Sequence, residues 1–212
     1  VNTNHEESRM MQTRNLFVLE DFAEAQIFER HQAFNQGHVF SNSVTESSVG
    51  NQAHFKHFKL QNDLDSSSLV DSTFVKQGAN SSALVDTFAF GGELVRNNLH
   101  FEFTGMHAEA HMDAITLLKG KSLVDHHTFV DHAVPHCQSN QLYKGIYDEK
   151  SKGVFNGKVM VRKDAQKTNA FQQNNNLLLS DFSSIDTKPQ LEIFADDVAC
   201  SHGCTIGQLD EE

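Results

Sequence analysis

The sequence predicts an all-β chain wound as a parallel β-solenoid, and three observations carry that prediction. Short turn phrases recur at a near-constant step: Asp21-Phe-Ala-Glu, Gly50-Asn-Gln-Ala, Gly78-Ala-Asn-Ser and Gly105-Met-His-Ala start 29, 28 and 27 residues apart, and Lys163-Asp-Ala-Gln follows 58 residues after Gly105, two further steps of 29. Between the phrases lie short β-branched and aromatic runs bounded by Gly, Asn, Asp or Ser, which read as strands. Ala53-His-Phe-Lys-His-Phe-Lys-Leu, Leu94-Val-Arg-Asn-Asn-Leu-His-Phe-Glu-Phe and Val154-Phe-Asn-Gly-Lys-Val-Met-Val are examples. Thirdly, no long helical face competes with them. Strands at such a step close either a sandwich or a solenoid, and the repeat favours the solenoid, in which each coil buries its apolar side on the next.

Taken in order, Asn15-Leu-Phe-Val-Leu-Glu reads as a first strand. Glu24-Ala-Gln-Ile-Phe-Glu-Arg-His has a weak helical pattern, but the place of Asp21 in the repeat makes it strand too. Asp63-Leu-Asp-Ser-Ser-Ser is loop-like without marking a domain break, so residues 1–212 are expected to form one elongated domain. Leu-Val-Asp recurs at Leu69, Leu84 and Leu123, with Leu94-Val-Arg as a variant, as though one strand type were stacked repeatedly. Gln172-Gln-Asn-Asn-Asn-Leu reads as a turn whose side chains form ladders between coils.

Composition excludes several classes of function. Seventeen Lys+Arg against 28 Asp+Glu give a net charge of -11, which repels phosphate backbones and anionic lipid, so neither nucleic acid nor a membrane surface is an expected partner. The longest aliphatic run, Leu177-Leu178-Leu179, is far short of the roughly 20 apolar residues that cross a bilayer. The first residues lack the basic start and apolar stretch of a secretory signal. Cys137, Cys200 and Cys204 are an odd number of cysteines and too few for a disulfide framework, which points to a cytosolic compartment. The Gly-Lys-Ser/Thr phosphate loop, the Gly-x-Ser-x-Gly elbow and the His-Glu-x-x-His zinc helix do not occur.

Thirteen histidines direct attention to metal chemistry. His126, His127, His132, His136 and Cys137 lie within twelve residues, with His107 and His111 upstream. A metal-dependent enzyme would use His126, His132 and His136 as ligands and Asp131 as base. Strand alternation opposes this, because it puts His126 and His132 on one face and His127 on the other. Hydrogen-bonded rungs of a polar β surface are the favoured reading. The second constellation is Cys200-Ser-His202-Gly-Cys204. In a strand, positions 200, 202 and 204 share a face and align thiol, imidazole and thiol, soft and borderline donors suited to iron, sulfide or zinc. Gly203 marks a bulge or a close backbone approach. Three donors in one run are a partial site, and buried thiols with one hydrogen-bonded imidazole are the plainer alternative.

Three long blocks resemble a known family: Ala133 to Val161, Asp164-Ala-Gln-Lys-Thr-Asn-Ala-Phe-Gln-Gln-Asn-Asn-Asn-Leu-Leu-Leu-Ser, and Asp186 to Asp210 around Cys-Ser-His-Gly-Cys. They resemble the SufB/SufD family of SUF iron–sulfur cluster assembly scaffolds, the last block its SufD branch more than its SufB branch, with Val39-Phe-Ser-Asn-Ser-Val-Thr-Glu a weaker match in the same order. The resemblance implies a right-handed parallel β-helix and a non-catalytic scaffold that works with SufB and the SufC ATPase, building clusters on sulfur from a cysteine desulfurase. It maps Cys200 and His202 onto the family's Cys-x-His at the SufB-facing edge, as ligands of iron or a transient cluster shared with the partner, none being held stably in isolation. Cys204 departs from the pattern, where a small nonpolar residue is usual, and is read as incidental rather than as an extra ligand. Family members carry flanking helical regions, so residues 207–212 are expected to begin a C-terminal helical segment that bears the main SufC contact. An exposed end strand would also admit a homodimer when SufB is absent.

Overall fold

The structure, a computed structural model, describes residues 2–3, 8–33 and 37–208. Among them are fifteen strands: β1 (Asn2–Thr3), β2 (Arg9–Leu19), β3 (Glu24–Ala33), β4 (Val39–Val49), β5 (His54–Gln61), β6 (Ser67–Gln77), β7 (Ser82–Ala89), β8 (Leu94–Phe103), β9 (Glu109–Leu118), β10 (Leu123–His132), β11 (Gln138–Tyr147), β12 (Lys152–Val161), β13 (Asn169–Leu178), β14 (Ser184–Ile193) and β15 (Ala199–Gln208). The odd-numbered strands form one parallel sheet in chain order and the even-numbered strands another. The chain thus alternates between two sheets, and the β-solenoid predicted from the turn phrases is the fold. Along the odd sheet, Glu24, His54, Ser82, Glu109, Gln138, Asn169 and Ala199 are successive partners, giving steps of 30, 28, 27, 29, 31 and 30 residues.

The recurring phrases are the corners that lead from the even to the odd sheet, and the step missing between Gly105 and Lys163 is filled by Ala133-Val-Pro-His-Cys137. Each corner holds one residue in the left-handed region: Phe22, Gln52, Asn80, His107, His136 and Lys167, with φ between 54° and 66°. The strain is held by backbone bonds between coils. Phe22 N–H donates to Asn51 O, Gln52 N–H to Ala79 O, Asn80 N–H to Met106 O and His136 N–H to Gln166 O, at 2.8 to 2.9 Å. Asp21 and Asn51 extend the ladder with side chains, Asp21 Oδ1 accepting from Asn51 N–H at 2.7 Å and Asn51 Oδ1 from Ala79 N–H at 2.8 Å. Glycine at 105 follows from this stacking, since a Cβ there would stand 2.0 Å from Ala79 N.

Of three local expectations, one holds and two change. Glu24–His31 is strand, as the repeat requires. The Gln172 tract is not a turn but the middle of β13, and its ladder runs through the interior: Gln172, Asn174 and Asn176 are buried, and Gln172 Nε2 donates to Gln141 Oε1 on the preceding odd strand at 3.2 Å. The Leu-Val-Asp phrases are not equivalent. Leu123 pairs with Leu94, but Leu69 pairs with Val95, one position out, and Leu84 lies in the other sheet. A shift of one residue inverts the faces, so Leu69 is buried and Leu94 exposed.

An apolar cluster runs along the even-to-odd corner, a second lines the opposite corner from β6 onward, and a polar band lies between. One cluster contains Phe55, Phe101, Phe103, Met112 and Phe155; the other contains Leu69, Val95, Val124, Tyr147 and Ile185. The band holds a buried pair, Lys59 against Asp71, with Lys59 Nζ also donating to Thr73 Oγ1 at 2.6 Å. Next to it Gln61 Nε2 donates to Asn97 Oδ1 at 2.7 Å, and in the first coils Glu29 lies 2.9 Å from His31 Nε2 and 2.8 Å from His57 Nε2. Burial alone would raise the Glu29 pKa, yet the two imidazoles and the Lys59 charge hold it well below the usual carboxylate range.

The outer faces differ. On the even sheet the outward carboxylates of the strands all meet a cation: Glu46 with Arg14, Glu102 with Lys76, Asp125 with Arg96, Asp131 with Arg162, Asp186 with Lys152 and Glu192 with Lys158. On the odd sheet Asp86 and Asp113 are direct partners on β7 and β9, and neither is in an ion pair. Burial, and then the charge of Asp113, lift the Asp86 pKa to about 6, with His111 opposing; burial likewise raises Asp113. A carboxyl with a raised folded-state pKa stabilises the fold while protonated, and that contribution is lost as pH rises through the folded value. Asp86→Asn is therefore expected to stabilise the chain near pH 7 by on the order of 1 kcal/mol after solvent screening, and to leave it unchanged near pH 3. Urea unfolding of both proteins across pH 3 to 7 checks this, and a parallel pair of profiles would refute it.

Candidate functional site

The chain's candidate donors sit on β15, the last strand of the odd sheet, which pairs with β13 along one edge. Its register opposes Ala170 to Cys200, Gln172 to His202 and Asn174 to Cys204. Because Ala170, Gln172 and Asn174 point into the solenoid, the three donors share its inward side, at the end where no further coil among the described residues covers them. Cys200 is half-buried and packs on the apolar core, whereas His202 and Cys204 are exposed. Successive donors are separated by two residues, about 6.6 Å along the strand.

Opposite lies the end of the even sheet. Thr187 of β14 reaches across the mouth, its Oγ1 3.0 Å from Cys204 Sγ. Ile185 and Leu191 of the same strand also face inward there. Thr187 is a contributor that spacing did not disclose, because it comes from the other sheet. Gly203 keeps a regular register opposite Gln173 with open space where a Cβ would stand, so neither a bulge nor a close approach within the chain accounts for it.

Burial raises the Cys200 pKa, with a hydrogen bond from the Ala170 backbone opposing, so its thiol stays protonated at neutral pH until something draws the proton away. Metal binding has that effect, because the ligand is the thiolate. Thiol and imidazole are donors whose chemistry suits iron or an iron–sulfur cluster. Among the described residues no three His, Cys, Asp or Glu side chains gather around one ion position, so the strand offers part of a ligand set. Accessibility sets an expected order of alkylation: Cys204 first, Cys200 slower, and Cys137, which is fully buried with a raised pKa and donates to Gly105 O, last. Timed iodoacetamide labelling with peptide mass spectrometry checks it; equal rates at Cys137 and Cys204 would contradict the burial pattern.

The histidine-rich middle does not form a centre. His126 and His132 share a face, as alternation predicts, but that face is the interior rather than a polar surface. His126 Nε2 lies 3.0 Å from Thr116 Oγ1, and His132 Nε2 lies 2.9 Å from Ser139 Oγ. Burial lowers both pKa values to about 4, leaving neutral rings that serve as hydrogen-bonding rungs. His136 stands outside at a corner, stacked on His107 with ring centroids 4.9 Å apart, and Asp131 faces outward against Arg162. His126, His132 and His136 therefore lie in separate environments, which corrects the enzyme reading.

The fold and its last described strand define a β-solenoid that presents two thiols and an imidazole along one side of β15. A family model described as SUF system FeS cluster assembly, SufBD core domain, matches residues 1–212, and the chain belongs to that family. It is 37% identical over 211 residues to an iron–sulfur cluster assembly SufBD family protein of Synechocystis, covering 96% of this chain and 47% of that one. It is 33% identical over 209 residues to the iron–sulfur cluster assembly protein SufD of Escherichia coli, covering 98% and 49%. It is 35% identical over 217 residues to the chloroplastic protein ABCI7 of Arabidopsis thaliana, covering 99% and 45%. The chain spans about half the length of these curated relatives. Of residues 207–212, where the resemblance implies the start of a helical segment, Gly207 and Gln208 belong to β15, and residues 209–212 lie outside the described residues.

Proposed function

We propose that this chain is the β-solenoid core of a non-catalytic scaffold subunit for iron–sulfur cluster assembly, in which Cys200 and His202 hold iron or the nascent cluster together with ligands from a partner. The observation that carries this reading is the placement of the two donors on the inward side of β15, the last strand of the odd sheet among the described residues, with Thr187 of the other sheet reaching across beside them. A strand edge of that kind invites pairing with another chain, and pairing would bring the missing ligands to the same place. The partner is a SufB-like subunit, with a SufC-type ATPase supplying the motion that exposes the site. A second copy of the chain is the lesser occupant of this edge. Cluster and sulfide are cargo here, and the solenoid contributes position and rigidity.

The test is complementation of a strain lacking the full-length protein. A Cys200→Ser, His202→Ala double variant is expected to lose most cluster maturation, read as the activity of an iron–sulfur reporter enzyme, while Cys204→Ala retains it. Normal maturation by the double variant would sink the assignment.

A further inference from the structure

The outer face of the odd sheet is apolar over much of its width. Phe58, Leu60, Leu84, Phe88 and Leu142 are half-buried on it, and Phe28 is 77% exposed, stacked on Phe58 with centroids 4.8 Å apart. Ile115 stands exposed beside them. Exposed apolar area on this scale marks an interaction surface. In its middle, Asp86 and Asp113 stand side by side in a groove bordered by Phe88, Ile115, Leu142 and Lys144. Asp86 Oδ1 is buried there without a hydrogen-bond partner.

The contrast with the even sheet is the decisive point. There each outward strand carboxylate meets a cation from a neighbouring coil, six in all. On the odd sheet the two carboxylates with the most apolar surroundings have none, although leaving charge unpaired in such a place is costly. Lys144 and His111 stand near the pair, but neither is within ion-pair distance of it, which leaves a place for a cation from outside the solenoid.

We propose that the outer face of the odd sheet docks a partner polypeptide which presents a basic side chain, Arg or Lys, between apolar ones, the cation seating against Asp86 and Asp113. Apolar flanks on Phe58, Phe88, Ile115 and Leu142 supply burial, and the carboxylate pair supplies register and selectivity. The guanidinium of Arg, which bonds two carboxylate oxygens at once, is the better fit. This surface is separate from the end strand and does not rest on the role given to Cys200 and His202.

The experiment is carboxyl footprinting of the full-length protein with a water-soluble carbodiimide and glycine ethyl ester, read by peptide mass spectrometry. The protein is labelled alone over a dilution series and in the assembly purified from cells. Asp86 and Asp113 are expected to be labelled in the free protein and protected at least fivefold in the assembly, with Asp86→Asn, Asp113→Asn weakening the assembly tenfold or more. Protection at every dilution of the free protein would mean that the chain's own flanking residues cover the face. Protection that grows with concentration would mean a second copy. Labelling in both states would mean that nothing docks. Each of these three results overturns the proposal. Protection that persists in the Cys200→Ser, His202→Ala variant separates this surface from the end-strand site.

Discussion

Replacing Lys59 with methionine is expected to lower the stability of the chain by about 3–5 kcal/mol, the cost of leaving a buried charge without its partner. Lys59 is 3% exposed and Asp71 1%, and the two meet in the interior between β5 and β6. Asp71 would retain a weak 3.4 Å contact from Gln61 Nε2, and Glu29, partner of Lys59 on the neighbouring strand, would lose the positive charge that helps hold it ionised. Removing both charges is a different matter. Lys59→Met with Asp71→Leu is expected to recover most of the loss, since apolar side chains of similar volume often replace a buried pair with little cost. Urea midpoints of the four proteins in the cycle check this. A Lys59→Met midpoint equal to that of the parent would show that the pair is solvated in solution.

That pair also marks how far the sequence could be read. The step between turn phrases was legible because successive corners approach the coil before them closely, which repeats Gly50, Gly78 and Gly105 at one place, although the left-handed residue beside them changes from corner to corner. Alternation correctly put Cys200, His202 and Cys204 on one side of a strand. It could not distinguish interior from exterior for polar strands, because period 2 fixes which residues share a face and not which face is buried. His126 and His132 were therefore assigned to a polar surface, and the Gln172 tract to a turn, though both line an interior polar enough to accept them. Contacts between sheets were beyond reach for a further reason. Thr187 meets Cys204, and Lys59 meets Asp71, across the solenoid, and the sequence distance between facing residues depends on corner lengths that vary from coil to coil. Asp86 and Asp113 lie 27 residues apart, within the repeat, and only the register of β7 on β9 brings them together.

Gly153→Ala is expected to destabilise the chain by about 2–3 kcal/mol, although it adds a single methyl group. Gly153 points inward from β12, and a Cβ there would stand 2.4 Å from Cζ and Oη of Tyr147 and 2.5 Å from Ile185 Cδ1. Gly145, two residues before Tyr147, meets the same ring, its Cβ position lying 2.4 Å from Tyr147 Cε2 and Oη. The ring is thus held between two glycines on adjacent strands of opposite sheets, buried to 2% exposure, with Thr116 as hydrogen-bond partner of its hydroxyl. It has no free volume to move into, because Leu118, Val124 and Ile185 close the cluster around it. Tyr147→Leu should cost about 2–4 kcal/mol by itself, through lost packing and the cavity left behind. The two changes meet at one place and should not add: the smaller side chain vacates the space that the new methyl needs, so the double variant should lie at least about 1 kcal/mol above the sum of the singles. Strict additivity in thermal or urea unfolding would mean that the glycine is required by the backbone of β12 and not by the ring.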